Sequence, residues 1–155
     1  MTRGTLDQAA PPPASAVGKR VRPVMLLTIN VELEESAIAF AIETAAQTGA
    51  ELYICDAIPL EYRNYVEHVA RQYAERMNRK QLDAVARRAR DLGVTTKQLA
   101  FHNPRPVKAA LEVARTECIG LLVFGPEPSE LGKRPYRRAV KRIRAEAPCL
   151  VWVHD

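Results

Sequence analysis

Five short apolar runs, separated by longer segments of helical periodicity, constrain the fold of this 155-residue chain more than any other feature. The runs span residues 24–29, 51–58, 94–101, 121–124 and 150–153. The runs 121–124 and 150–153 are apolar throughout and the run 24–29 is apolar except at Thr28, which is typical of strands buried on both faces of a parallel sheet. Strands that alternate with helices connect by right-handed crossovers. The sequence therefore predicts an α/β domain, a five-stranded parallel sheet with helices on both faces.

The four intervening segments space their apolar residues by three and four positions, as helices do. We predict helices over residues 33–48, 61–92, 107–117 and 136–145, and a loop over Pro126–Pro135. Asn78 marks a break or a change of register in the second helix. The predicted buried stripe of that helix consists of Val66, Val69, Ala70, Tyr73, Met77, Val85, Ala86 and Ala89.

The chain divides into a tail and one domain. Residues 1–21 are rich in Ala, Pro, Thr and Gly and have little to bury, so we predict a disordered tail followed by a domain over residues 22–155. No apolar run approaches the roughly 20 residues of a membrane span, and the N-terminus lacks a secretory apolar stretch. Cys55, Cys118 and Cys149 lack paired metal-ligand spacing. We therefore expect reduced, buried thiols, no metal site and a cytoplasmic location.

The formal charge of +5 is concentrated in one predicted helix. Residues 133–144 hold seven basic residues and no acidic one, while the rest of the domain is mildly acidic. A nucleic-acid surface is typically a broad basic face with aromatic residues among the charges, which is not seen here. This helix is either a solvated face or a site for an anion or an acidic protein partner, and nucleic acid is the less favoured ligand.

Polar residues lie where ligands bind in such sheets, beyond the carboxyl ends of the strands. Asn30 follows the first run, Asp56 lies late in the second, and His102 follows the third. No glycine fingerprint follows the first run, which argues against a dinucleotide. The histidines are scattered along the chain, and we predict no catalytic residues. Asp56 and His102 can also be ordinary polar groups at strand ends.

Three segments carry a resemblance to a known family. The segments AIETAAQTGAEL (41–52), LLVFG (121–125) and APCLV (147–151) resemble the universal stress protein family, and the resemblance covers residues 22–155. It implies the strand order 3-2-1-4-5. It also implies a homodimer that pairs through the last strand, here Leu150, Val151, Trp152 and Val153. An apolar edge strand needs such a cover.

Many members of that family bind ATP, but this sequence departs from their motif. They carry an Asp at the end of the first strand, where this chain has Ile29 and Asn30, and a loop G-x2-G-x9-G-[S/T] after the fourth. Gly125 matches the first glycine, Pro128 stands at the second, and the third falls at Arg137 or Arg138. Prolines have no N–H to offer a phosphate, so the backbone cradle is lost.

Three functional hypotheses follow. The first is a homodimeric regulatory or stress-response module that acts as a non-enzymatic interaction domain and has no ATP cofactor. The second is a nucleotide-binding protein in which arginines compensate for the lost glycines, with slow ATP hydrolysis. Its candidate pocket comprises Asn30, Asp56, His102, Gly125, Ser129, Arg137 and Arg138. The third is binding of an anion, an acidic partner or nucleic acid through the basic helix, residues 133–144.

Overall fold

The computed structural model describes residues 21–60 and 65–154, so the predicted tail lies outside the described residues except for Val21. The strands are β1 (Val24–Thr28), β2 (Leu52–Pro59), β3 (Thr96–Asn103), β4 (Leu121–Phe124) and β5 (Leu150–Val153). The helices are α1 (Glu35–Thr48), α2 (Tyr65–Asp91), α3 (Pro106–Thr116), α4 (Pro128–Leu131) and α5 (Lys133–Glu146).

The five strands form one parallel sheet in the order β3-β2-β1-β4-β5, which confirms the predicted architecture. Strand β1 lies at the centre and is buried along its whole length. Its residue Leu26 pairs with Ile54 on one side and with Val123 on the other. Because crossovers place helices on both faces of the sheet, the central strands can be apolar throughout.

Two apolar layers cover the two faces of the sheet. Helices α1 and α2 pack on one face, where Ile38 and Ile42 of α1 and Val85 of α2 join the core. Helices α3 and α5 pack on the other face through Leu111 and Ile143. The described helices include none that is both long and apolar enough to cross a membrane.

Helix α2 differs from its prediction in continuity and in the direction of its apolar stripe. It is unbroken through Asn78, which is buried, and its body-facing positions continue through Leu82 and Val85. One and two turns before Asn78, the same face of the helix carries Glu75 and Arg71, which are half-buried. The predicted stripe is therefore wrong in the N-terminal half, where the large apolar residues point away from the sheet: Val66, Val69, Tyr73 and Met77 are exposed.

Two regions also differ from the sequence prediction. The predicted loop 126–135 contains α4 and the start of α5, which meet at Gly132 (φ 100°). The third strand begins at Thr96, because Val94 instead completes the end of α2. Gly93 there adopts φ 81°, and the Val94 N–H donates to the Ala89 carbonyl (3.1 Å). This glycine stop with a buried residue after it is a common helix ending.

The cysteines do not share one environment. Cys55 is buried in β2, Cys149 is half-buried, and Cys118 is exposed, so the expectation of three buried thiols is wrong for Cys118. Cys118 follows α3 with a left-handed φ of 55°, where the chain turns towards β4. Burial raises the pKa of the Cys55 thiol to about 12, which makes it an inert core residue.

Candidate functional site

The loop between β1 and α1 pairs with the segment that follows β4. The Glu34 N–H donates to the Gly125 carbonyl (2.8 Å), and the Glu127 N–H donates to the Glu32 carbonyl (2.9 Å). Leu33 and Pro126 form an antiparallel bridge between these bonds. We call Glu32–Glu34 with Gly125–Glu127 the strand-end ladder. It lies where the strand order reverses between β1 and β4, which is the usual ligand crevice of this architecture.

Leu33 fills the space above Gly125. A Cβ atom at position 125 would lie 2.6 Å from Leu33 Cδ2, and Leu33 itself is buried. Gln81 of α2 fixes the Leu33 backbone from the other side: the Leu33 N–H donates to Gln81 Oε1 (2.8 Å), and Gln81 Nε2 donates to the Leu33 carbonyl (3.0 Å). The glycine that matches the first position of the phosphate motif is therefore required here by close packing.

The segment after β4 has few backbone donors left for a phosphate. The Gly125 N–H donates to the Leu27 carbonyl (2.8 Å), and the Glu127 N–H is used in the ladder. Pro126 and Pro128 have no N–H. Further along, the Glu130 N–H donates to the Glu127 carbonyl (3.0 Å). An anion at this point would find no N–H at Pro126 and Pro128, and those of Gly125, Glu127 and Glu130 already paired.

The same edge of the sheet is negatively charged. Glu32, Glu34, Glu127 and Glu130 all lie in or beside the ladder, and Glu130 Oε1 accepts the Glu32 N–H (3.3 Å). The Ser36 hydroxyl donates to the Glu34 carboxylate and lowers its pKa, which keeps that group ionised at neutral pH. The local field therefore opposes the approach of a polyphosphate.

A second polar cluster lies at the ends of β2 and β3, under α2. The Asn30 N–H donates to Asp56 Oδ1 (2.7 Å), and Asn78 Nδ2 of α2 donates to Asn30 Oδ1 (3.3 Å). Asn30 has a left-handed φ of 52°, a conformation that asparagine tolerates better than most residues. Burial raises the pKa of Asp56 to about 6, against the opposing effect of the Asn30 hydrogen bond.

Asp56 lines a cavity of about 220 Å³ between α2 and strands β2 and β3, which we call the α2 cavity. Its other polar residues are Glu75, Arg79, Asp83 and Gln98, and its apolar residues are Ile58, Leu82, Leu99 and Ala100. At its margin, His102 Nε2 lies 3.1 Å from Glu75 Oε1. The described residues contain no group of three or more His, Cys, Asp or Glu placed to hold a metal ion.

The seven residues of the predicted pocket do not form one site. Asn30 and Asp56 are in contact, and His102 lies beside them through Glu75. Gly125 is covered by Leu33, and Ser129 in α4 donates to Glu127 Oε1 (3.2 Å). Arg138 is exposed on α5, and Arg137 lines a separate groove beside β5. The structure thus separates the strand-end polar residues from the arginines.

Sequence reasoning missed the contribution of α2 to both places. Gln81 fixes the ladder, and Asn78, Glu75 and Arg79 surround Asp56. The available signal was helical spacing: Asn78 and Arg79 lie four and three positions before the buried Leu82, and Gln81 lies four before the buried Val85. Polar residues on the body-facing side of a helix indicate a buried polar site.

No family model and no curated protein matches this chain. Several solved structures do match it. The chain is similar to a universal stress protein family structure from Burkholderia pseudomallei (19% identity, TM-score 0.60, 84% of this chain and 94% of that one). It is also similar to the universal stress protein of Lactobacillus plantarum (16% identity, TM-score 0.62, 89% and 100%). A third is the Archaeoglobus fulgidus universal stress protein in complex with dAMP (15% identity, TM-score 0.62, 87% and 98%).

Proposed function

We propose that this chain, which has the fold of the universal stress protein structures, is a homodimeric regulatory or interaction module of the cytoplasm. In this proposal it does not bind ATP in the manner of the family's nucleotide-binding members, and it catalyses no reaction. The observation that carries the proposal is the strand-end ladder, in which Leu33 packs on Gly125. The ladder occupies the crevice, uses the backbone donors and is flanked by carboxylates.

The competing proposal is nucleotide binding. The Archaeoglobus fulgidus protein is solved with dAMP, and arginines can replace backbone donors with charge-assisted hydrogen bonds. Arg137 and Arg138 would have to supply that charge. Because Arg137 lines the groove beside β5 and the ladder edge carries glutamates, this geometry supports the proposal less well.

Nucleotide content tests the first proposal directly. We expect native mass spectrometry of the purified full chain to show no bound nucleotide, and calorimetric titration with ATP to show no binding at micromolar concentrations. A co-purified adenine nucleotide, or a saturable ATP isotherm, would overturn it. If binding is seen, Arg137→Ala with Arg138→Ala decides whether those arginines carry it. Lys108→Ala, on the exposed side of α3, is the control.

Strand β5 supports the homodimer. It is an edge of the sheet, and Leu150 on it is 75% exposed although it is apolar. The other three predicted interface residues are partly buried: Trp152 stacks on Phe40 (4.7 Å between ring centroids), and Val151 and Val153 pack towards α5. The self-pairing surface therefore consists of the β5 backbone and Leu150. A second copy would cover both by two-fold symmetry.

Replacing Leu150 by Lys is expected to give monomers, because pairing would bury an ammonium group in place of the exposed apolar side chain of the edge strand. Leu150 is exposed in the single chain, so the substitution leaves the core intact. Sedimentation velocity measures the change in mass, and Leu92→Lys, at an exposed leucine remote from β5, is the control. A dimer that survives Leu150→Lys would contradict pairing through β5.

A second candidate function is recognition of an acidic partner. A groove of about 750 Å³ runs between α5 and β5, with Arg137, Lys141 and Arg144 beside Val140 and Val153. Basic residues beside apolar ones suit an acidic segment with apolar side chains. Calorimetry with such a peptide in place of ATP tests it: binding lost in Arg137→Glu with Lys141→Glu supports it, and binding that persists in that variant contradicts it.

A further inference from the structure

Asp56 is a buried carboxylate with one oxygen unmatched. The residue is 3% exposed, and its Oδ1 accepts the Asn30 N–H at 2.7 Å. Among the described residues, none donates a hydrogen bond to Oδ2. Oδ2 is not fully enclosed, so a water or a ligand in the α2 cavity can satisfy it. Asp56 lines the α2 cavity, so a donor can reach it there.

The charges around the α2 cavity favour a cation. Three carboxylates, Asp56, Glu75 and Asp83, line it together with one guanidinium, that of Arg79. Gln98 Nε2 donates to Asp83 Oδ1 (2.9 Å), which orients that carboxylate. Arg79 forms no ion pair within 4.0 Å of any acidic residue in the described ranges. With Glu75 paired to His102 at the margin, Asp56 and Asp83 face Arg79 alone, so the cavity still holds more negative charge than its own residues neutralise.

The arrangement of these carboxylates favours an organic cation over a metal ion as the ligand. A single metal ion needs several oxygens that converge within about 2–2.6 Å of one point. The described residues contain no such group of three. The carboxylates are instead spread around a cavity whose other walls, Ile58 and Leu82 among them, are apolar. This pattern fits a molecule with separated N–H donors on an aliphatic chain.

We propose that the α2 cavity binds a small organic cation, a diamine or a guanidinoalkyl amine, whose nitrogen donates to Asp56 and whose methylene groups contact Leu82 and Ile58. The cavity volume of about 220 Å³ suits a ligand of this size. The cavity is separate from the strand-end ladder.

The surrounding charges define how this binding depends on pH. Glu75 and Arg79 of α2 and His102 of β3 lie around Asp56, and Asn30 contacts it from the β1–α1 loop. Burial places the pKa of Asp56 near 6. The carboxylate is therefore ionised at neutral pH and loses its charge as the pH falls below that value. Affinity for a cation decreases in the same direction.

Titration of the isotope-labelled full chain with agmatine, followed by amide NMR shifts at low salt, tests the site. We expect saturable shifts confined to the ends of β2 and β3 and to α2, and none with uncharged butanediol. Asp56→Asn should weaken binding about tenfold or more, since a charge-assisted hydrogen bond is lost. It keeps an acceptor for the Asn30 N–H, so the fold is retained. Glu112→Gln, which removes an exposed carboxylate of α3, is the matched control and should leave affinity unchanged.

Substitution of Arg79 should change the affinity for agmatine in the opposite direction. Arg79→Gln removes the one guanidinium that lines the cavity and should tighten agmatine binding by about threefold, as expected for one partly solvated charge. A merely structural disturbance of α2 would weaken binding. The proposal is overturned if agmatine causes no saturable shifts, if Asp56→Asn binds as well as the unmodified chain, or if the shifts lie at the ladder glutamates.

Discussion

Gly125→Ala is expected to lower the free energy of unfolding by about 2 kcal/mol, the cost of an overpacked core position. The added Cβ would lie 2.6 Å from Leu33 Cδ2, 3.1 Å from Leu26 Cδ1 and 3.2 Å from Ala37 Cβ. Leu33 cannot swing away freely, because Gln81 and the ladder fix its backbone on both sides. Urea denaturation monitored by circular dichroism measures the loss.

A double-mutant cycle identifies Leu33 as the cause. In a Leu33→Ala background the nearest atom is gone, so the cost of Gly125→Ala should fall by about 1 kcal/mol, a typical coupling between residues in contact. Gly93→Ala is the control, since it adds a Cβ in open space at a positive φ. Its cost arises from the backbone and should be the same in both backgrounds. Equal costs of Gly125→Ala in both backgrounds would contradict the packing of Leu33 on Gly125.

Asp56→Asn is expected to raise the free energy of unfolding by about 2 kcal/mol near neutral pH, and by almost nothing below about pH 3. Folding raises the pKa of this carboxyl from 3.8 to about 6, so the folded state holds its proton more tightly than the unfolded state. The resulting stabilisation is complete below the unfolded pKa and is lost as the pH rises through about 6. The unmodified chain therefore carries the cost of a buried charge at neutral pH, and the amide avoids it.

The decisive measurement is how the difference in unfolding free energy between Asp56→Asn and the unmodified chain changes with pH. Urea midpoints of Asp56→Asn and of the unmodified chain should separate between about pH 4 and pH 7, and other titrating groups cancel in that difference. Glu112→Gln removes an exposed charge and should change stability by less than about 0.5 kcal/mol at both ends. A difference independent of pH would mean that Asp56 is not a buried ionised group at neutral pH.

The sheet was predictable because its sequence signals are local. The run VMLL at the start of β1 is apolar at every position, and only a strand covered on both faces needs that pattern. The direction of the α2 stripe was not predictable, because helical period gives the spacing of a face but not what it faces. Val66 and Met77 share that period with Val85, yet they lie on the side of α2 turned away from the sheet.

The candidate site was predictable only in its position. Asp56 and Asn30 stand at strand ends in the sequence, but the burial of Asp56 depends on α2, which is distant along the chain. The strand-end ladder has no sequence pattern, since Glu32–Glu34 does not read as a strand. It arises when β1 and β4 become neighbours and bring two loops together.

The strand-end ladder also determines what this domain can sense. In a loop that acts as a switch, ligand binding stabilises one conformation, so the population of that conformation follows the ligand concentration. Here hydrogen bonds from Gln81 and from the backbone of Gly125–Glu127 hold the loop in its conformation. If no nucleotide binds, as proposed, the loop keeps one conformation whatever the nucleotide level of the cell. A module of this kind conveys information through its own abundance, so control would rest on its synthesis and degradation.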